Sequence, residues 1–104
     1  MPDKVRYQPQ LTVLDILLEK LKEEPAELIQ VACKATLHGL DDDHRGETNR
    51  EAIERELGDV LAIAKLLDSI GAINLNRIID GPCQAKVQKL ITICRENGLE
   101  IHGQ

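Results

Sequence analysis

The chain is almost free of aromatic residues, and this restricts the folds that are open to it. Tyr7 is the single aromatic residue among 104, with no Trp and no Phe, although 42 % of the chain is hydrophobic. The core must therefore be built from Leu, Ile, Val and Ala. Because strands are enriched in aromatic and β-branched residues, this composition disfavours β sandwiches and barrels and favours helices.

The composition and the charge also exclude several classes of function. A chain without Trp or Phe lacks the stacking platforms of proteins that bind single-stranded nucleic acid. Its formal net charge of −5 argues against binding to a phosphate backbone, so we expect no nucleic-acid partner. No segment reaches the ~18 apolar residues of a membrane span, so we expect no membrane partner. Three cysteines without a CxxC pair and a start without a hydrophobic leader predict a cytoplasmic protein.

Apolar residues recur at helical spacing after a polar arm at residues 1–10, which we expect to be extended. The first helix would run from residue 11 to Gly39, a typical C-terminal cap. The segment 38–49 is a polar loop by composition. Thr48-Asn-Arg-Glu51 fits a capping box, so a second helix should begin there and end at Gly71.

The rest of the chain predicts shorter helices. Residues 74–79 would form a short helix that Asp80-Gly81 closes. Pro82 would then open the last helix, which runs to about Glu96. With no run at strand spacing, the predicted fold class is all-α: two long antiparallel helices plus a shorter C-terminal helix, in a single domain over residues 11–104.

The second helix carries a sign of assembly. Its stretch Val60 to Leu67 (VLAIAKLL) is apolar around nearly the whole circumference, with one charge at Lys65. Such a helix is normally surrounded by other helices, and a chain of this length has barely enough of them. We therefore expect a four-helix core completed by oligomerisation, in a homodimer or homotetramer.

Two pairs of acids border the apolar faces of the two long helices. Glu24 and Glu27 lie three residues apart in the first, and Glu56 and Asp59 repeat that spacing in the second. Residues at this spacing share one side of a helix, so antiparallel packing would bring all four acids together. Oxygen ligands without His or Cys suit Mg²⁺, or Mn²⁺ in its place. A solvated surface is an equal alternative, because 30 % of the chain is charged.

The residues around these acids carry a resemblance. The segment Leu18-Glu-Lys-Leu-Lys-Glu-Glu-Pro-Ala-Glu-Leu-Ile-Gln, with Asn49-Arg50 and then Glu56-Leu-Gly-Asp59-Val-Leu, resembles the MazG-like all-α nucleoside triphosphate pyrophosphohydrolases. Their signature is ExxE, a spacer and then ExxD. The similarity covers roughly residues 14–70, and the part after Gly71 matches only loosely.

The resemblance implies an enzyme of nucleotide-pool house-cleaning. It would hydrolyse a nucleoside or deoxynucleoside triphosphate between the α and β phosphates, with Glu24, Glu27, Glu56 and Asp59 as Mg²⁺ ligands. One of the glutamates would also orient or deprotonate the attacking water. The residues considered for substrate contacts are Gln30, Lys34, Asn49, Arg50, Lys86, Lys89 and Tyr7.

Pro25 departs from the family pattern, which usually has a small helix-forming residue inside ExxE. Proline removes a helical hydrogen bond and restricts the residue before it, here Glu24. The first helix either continues through a kink or ends, with a new helix starting at Pro25. The departure at Pro25 also motivates a different function, a non-catalytic helical interaction module derived from the same family.

Overall fold

The computed structural model describes residues 11–101, and over this part the all-α class is confirmed. One compact unit ends at Ala72 and a second begins at Ile73. The first contains helix α1 (Val13–His38), a hairpin of β1 (Asp43–His44) and β2 (Glu47–Thr48), and helix α2 (Asn49–Ser69). The second contains α3 (Leu75–Ile78), a π-helical segment (Ile79–Cys83) and α4 (Gln84–Glu96). The predicted arm at residues 1–10 lies outside the described residues.

Helix α1 has defined signals at both ends. Thr12 caps its start: its hydroxyl accepts from the Asp15 N–H at 3.1 Å, and its own N–H donates to the Asp15 carboxylate at 2.9 Å. The helix therefore begins two residues later than predicted. At the other end the Gly39 N–H donates to the Ala35 carbonyl at 2.8 Å, with Gly39 at φ 92°. The predicted end at Gly39 is confirmed.

Pro25 does not end helix α1. The helix is continuous from Val13 to His38 with Pro25 inside it, so the alternative in which a new helix starts at Pro25 is wrong. Proline removes one backbone donor from the helix interior. The residues on both sides of Pro25 nevertheless remain in the helix. Glu24 and Glu27 consequently lie on one uninterrupted helix.

The connection between α1 and α2 contains the hairpin instead of the irregular loop expected for residues 38–49. Asp43 pairs with Thr48 and His44 with Glu47 in antiparallel register. The turn residues Arg45 and Gly46 have φ values of 60° and 86°, and positive φ at both central positions is typical of a tight hairpin turn. Strands of two residues are too short to produce a readable alternation, so the sequence pattern did not predict them.

Helix α2 begins at the predicted capping box. The Thr48 hydroxyl accepts from the Glu51 N–H at 3.1 Å, and the Thr48 N–H donates to the Glu51 carboxylate at 3.0 Å. Helices α1 and α2 pack against each other, and the first unit buries Leu17, Ala52, Ile63 and Leu67. No helix among the described residues combines the length and hydropathy needed to cross a membrane.

The second unit differs from the prediction around Pro82. The expected break at Asp80-Gly81 and the new start at Pro82 are wrong, because Ile79–Cys83 forms a π-helical segment that leads directly from α3 into α4. A π turn takes an extra residue into the helical path, so the chain passes Gly81 and Pro82 without leaving it. Helix α4 ends at Glu96, as expected, before Asn97 and Gly98.

Candidate metal centre

Three carboxylates from the two long helices converge in the first unit. One carboxylate oxygen each from Glu24, Glu27 and Glu56 lies within 4.8 Å of the others. Glu24 and Glu27 are one turn apart on α1, so both project from the same side of that helix. Glu56 comes from α2, whose contact with α1 brings it to that side.

The acids interact across the helix interface. Glu24 interacts electrostatically with Asp59, and Glu27 does so with Glu56. Residue numbers therefore fall along α2 as they rise along α1, which makes the helices antiparallel. Asp59 belongs to the site through Glu24, although it lies outside the tighter group of three.

Two oxygens of the acid cluster are buried without a partner. Glu56 is only 2 % exposed, and its Oε2 has no hydrogen bond; the same holds for Oε1 of the partly buried Glu24. Buried polar atoms are almost always satisfied, and a buried charge is costly unless it is compensated. Orphaned oxygens on neighbouring helices are therefore consistent with a bound cation that would complete the site.

The electrostatics of the cluster favour protons in the absence of a cation. Burial raises the pKa of Glu24 above its ordinary value of 4.5, and the charges of Glu27 and Asp59 raise it further. Burial also raises the pKa of Glu56, again with the charge of Glu27 as the next cause, while Arg55 opposes the shift. A divalent cation would relieve the same repulsion without protonation.

Arg55 and Glu47 join this site, and the sequence analysis missed both. The Arg55 guanidinium donates to Glu56 Oε1 at 2.7 Å and, through two nitrogens, to both oxygens of Glu47 at 3.0 and 3.1 Å. The hydrogen bonds and charge of Glu47 raise the pKa of Arg55, and Arg55 lowers the pKa of Glu47. The available signal was a basic residue directly before the first acid of ExxD.

Lys34 and Asn49 lie together at the far end of α1 from the capped start. A cavity of about 260 Å³ there is lined by Lys34, His38, Asp42, His44 and Asn49. Asn49 is 4 % exposed, and its Nδ2 donates to the Gly39 carbonyl at 2.8 Å. Its amide nitrogen thus holds the end of α1 against the start of α2, and a contact between Asn49 and a nucleotide stays a prediction.

The other residues considered for substrate contacts are dispersed. Arg50 pairs with Asp41 through two nitrogens at 3.0 and 3.3 Å. Gln30 is exposed on α1. Lys86 and Lys89 are exposed on α4 in the second unit, and Tyr7 lies outside the described residues.

No protein-family model matches the chain, and neither a curated protein nor a solved structure is significantly similar to it.

Proposed function

We propose that the protein is a Mg²⁺-dependent nucleoside triphosphate pyrophosphohydrolase of the MazG-like type. It would cleave the bond between the α and β phosphates and release a nucleoside monophosphate and pyrophosphate. One observation carries the proposal: two acid pairs on antiparallel helices converge and leave oxygens of Glu24 and Glu56 buried without partners.

The donor set fits Mg²⁺, with Mn²⁺ as a substitute. All four side chains, Glu24, Glu27, Glu56 and Asp59, offer carboxylate oxygens, which hard divalent cations prefer. Mg²⁺ usually takes few protein carboxylates and shares its coordination shell with water and substrate phosphates. The mixed exposure of the cluster suits this, because Glu56 is buried whereas Glu27 and Asp59 are open to solvent.

The residues divide the proposed reaction between them. When bound, the metal would lower the pKa of a coordinated water and neutralise charge on the phosphates. Glu24 and Glu56 hold the enclosed side of the site. Glu27 reaches solvent and lies against Glu56, so it can accept a proton from an incoming water and share it across that pair. In-line attack on a phosphoanhydride needs mainly positioning and electrostatic stabilisation from the protein.

Lys34 is the best-placed cation of the first unit for the polyphosphate. It lies two turns beyond Glu27 on α1, is exposed and has no ion-pair partner among residues 11–101. Arg50, by contrast, already holds Asp41. Lys34 therefore contributes a free positive charge on the helix that also supplies half of the acids.

The proposed activity belongs to nucleotide-pool house-cleaning in the cytoplasm. The three cysteines, Cys33, Cys83 and Cys94, are all free thiols in the structure. Free and largely exposed thiols persist in a reducing compartment, which is where nucleotide triphosphates are made and consumed. The proposed compartment and the proposed role both depend on this activity.

A screen of nucleotides tests the activity. The purified protein is incubated with each common ribo- and deoxyribonucleoside triphosphate and Mg²⁺, and the products are separated. We expect monophosphate and pyrophosphate in equal amounts, and no turnover after chelation with EDTA. Orthophosphate as the only product would contradict the proposed bond cleavage. No turnover together with no metal binding would instead indicate a non-catalytic helical interaction module.

We also propose that the chain assembles as a homodimer or homotetramer. Leu57 and Leu61 lie one turn apart on α2, and each is 50 % exposed. Several large apolar residues of α1 share this exposure, among them Ile16 and Leu18. Aliphatic residues in such numbers are commonly covered by a further copy of the chain in small helical proteins.

Sedimentation tests the assembly. We expect the mass of a dimer or tetramer for the wild type and a smaller species after Leu61→Glu, because a charge would have to be buried in the contact. Glu96→Gln, an exposed residue at the end of α4, is the control and should leave the mass unchanged. A monomeric wild type would contradict the proposed assembly.

A further inference from the structure

Arg55 contacts two carboxylates of different character. Its Nη1 lies 2.7 Å from Oε1 of Glu56, whose side chain is 3 % exposed. Its Nε and Nη2 form a two-pronged contact with Glu47, which belongs to strand β2 and is substantially exposed. The guanidinium thus links the hairpin to the most buried acid of the cluster.

We propose that Arg55 is a positioning residue for the metal centre and that Glu47 acts through it. This inference rests on the proposed function, because it concerns the same acids. Arg55 occupies Oε1 of Glu56 and so limits the rotation of that carboxylate, while Oε2 stays without a partner and free for a cation. The planar fork of Arg suits such two-sided pairing in a way that a Lys ammonium does not.

Glu47 resolves an electrostatic difficulty of this arrangement. A positive charge beside Glu56 repels a divalent cation and competes with it for the carboxylate. Glu47 takes two of the three donating nitrogens of Arg55 and balances its charge. Some residues do not bind the metal but hydrogen-bond to one of its ligands and orient it. Their replacement typically lowers metal affinity or activity by about 10–100-fold.

The test measures Mn²⁺ affinity of the full chain by calorimetry or electron paramagnetic resonance. Electrostatics alone predicts that Arg55→Met binds Mn²⁺ more tightly, because a repelling charge is lost. Positioning predicts the opposite, and we expect affinity to fall by about 10-fold or more. Arg55→Lys keeps the positive charge but loses the planar fork of the guanidinium, and its affinity for Mn²⁺ should fall similarly. Tighter or unchanged binding by Arg55→Met, or wild-type binding by Arg55→Lys, would overturn the inference.

The role of Glu47 is tested separately. Glu47→Gln should weaken Mn²⁺ binding, whereas the double variant with Arg55→Met should bind no more weakly than Arg55→Met alone. Asp41→Asn is the matched control, since Asp41 makes the same two-pronged pair with Arg50; it should bind normally. An equal loss in Asp41→Asn, or additive losses in the double variant, would refute the linkage.

Metal binding by the wild type and by the variants distinguishes this inference from the proposed function. A wild-type chain that binds neither Mn²⁺ nor Mg²⁺ would remove the metal centre and both proposals with it. A wild-type chain that binds Mn²⁺, with variants of Arg55 and Glu47 that bind equally well, would remove only the inference. Circular dichroism of each variant confirms that the helices are intact before affinities are compared.

Discussion

Replacing Glu56 by Gln should abolish turnover and the response to Mg²⁺ while the helices remain folded. Glu56 is the most buried acid of the cluster, and its unpartnered oxygen would be an enclosed ligand in the proposed site, which a neutral amide cannot replace as an anion. We expect activity to fall by more than about 100-fold, because even residues behind a metal ligand cost about 10–100-fold. Asp59→Asn should act in the same direction. Pyrophosphate release and thermal unfolding with and without Mg²⁺ measure both effects.

The metal-free stability of this variant gives a second readout. Glu56→Gln removes one of two facing carboxylates, so its repulsion with Glu27 disappears. The melting temperature without metal should therefore be no lower than that of the wild type, and the gain on adding Mg²⁺ should be lost. Glu54→Gln, an exposed acid on the same helix, is the control and should behave as the wild type. Full activity of Glu56→Gln would exclude the acid cluster as the catalytic site.

Without metal, the protein should become less stable as the pH rises above about 4.5. The folded-state pKa values of Glu24 and Glu56 are raised above 4.5, so the folded chain retains protons that the unfolded chain has lost. The free energy of unfolding then falls with pH until both raised pKa values are passed. The acids with lowered pKa values, such as Asp41 and Glu47, act in the opposite direction but at lower pH.

Mg²⁺ should reverse this loss of stability. A ligand that binds only the folded state at 100 times its dissociation constant stabilises by about 2.7 kcal/mol. The gain should grow as the pH rises above about 4.5, because protons then compete less with the cation for Glu24 and Glu56. Denaturant titrations from pH 5 to pH 8 measure how the free energy of unfolding changes with pH, once in EDTA and once in Mg²⁺. A metal-free stability that rises across this range, or one that Mg²⁺ leaves unchanged, would contradict the description of the cluster.

The parts of the fold that depend on local signals were predictable from the sequence. The capping box from Thr48 to Glu51 and the cap at Gly39 each involve a few neighbouring residues, and both are found where expected. The hairpin and the π-helical segment were not, because each depends on backbone geometry that short-range composition does not encode. In the π-helical segment, Pro82 would normally indicate a helix start. The chain instead remains helical through Pro82, in a wider turn.

The acid cluster was predictable in its members but not in its surroundings. Helical spacing and antiparallel packing were sufficient to bring Glu24 and Glu27 opposite Glu56 and Asp59. The relay from Glu47 through Arg55 was not foreseen, because Glu47 is on a strand that only the folded hairpin creates. Residue spacing within one helix cannot indicate a partner such as Glu47, which lies in the separate hairpin.

The bond between Asn49 and Gly39 has a consequence for the order of folding. It closes a short stretch of chain, ten residues in separation, and loops of this length form within about 10–100 ns. Pairing of the helices can then proceed outward from this closure, so that Glu27 meets Glu56 before Glu24 meets Asp59. Three of the four buried apolar residues of the first unit, Leu17, Ile63 and Leu67, lie farther from this connection than the acids do. The repelling carboxylates would therefore meet before most of this core forms, and the folding rate should respond to their charge.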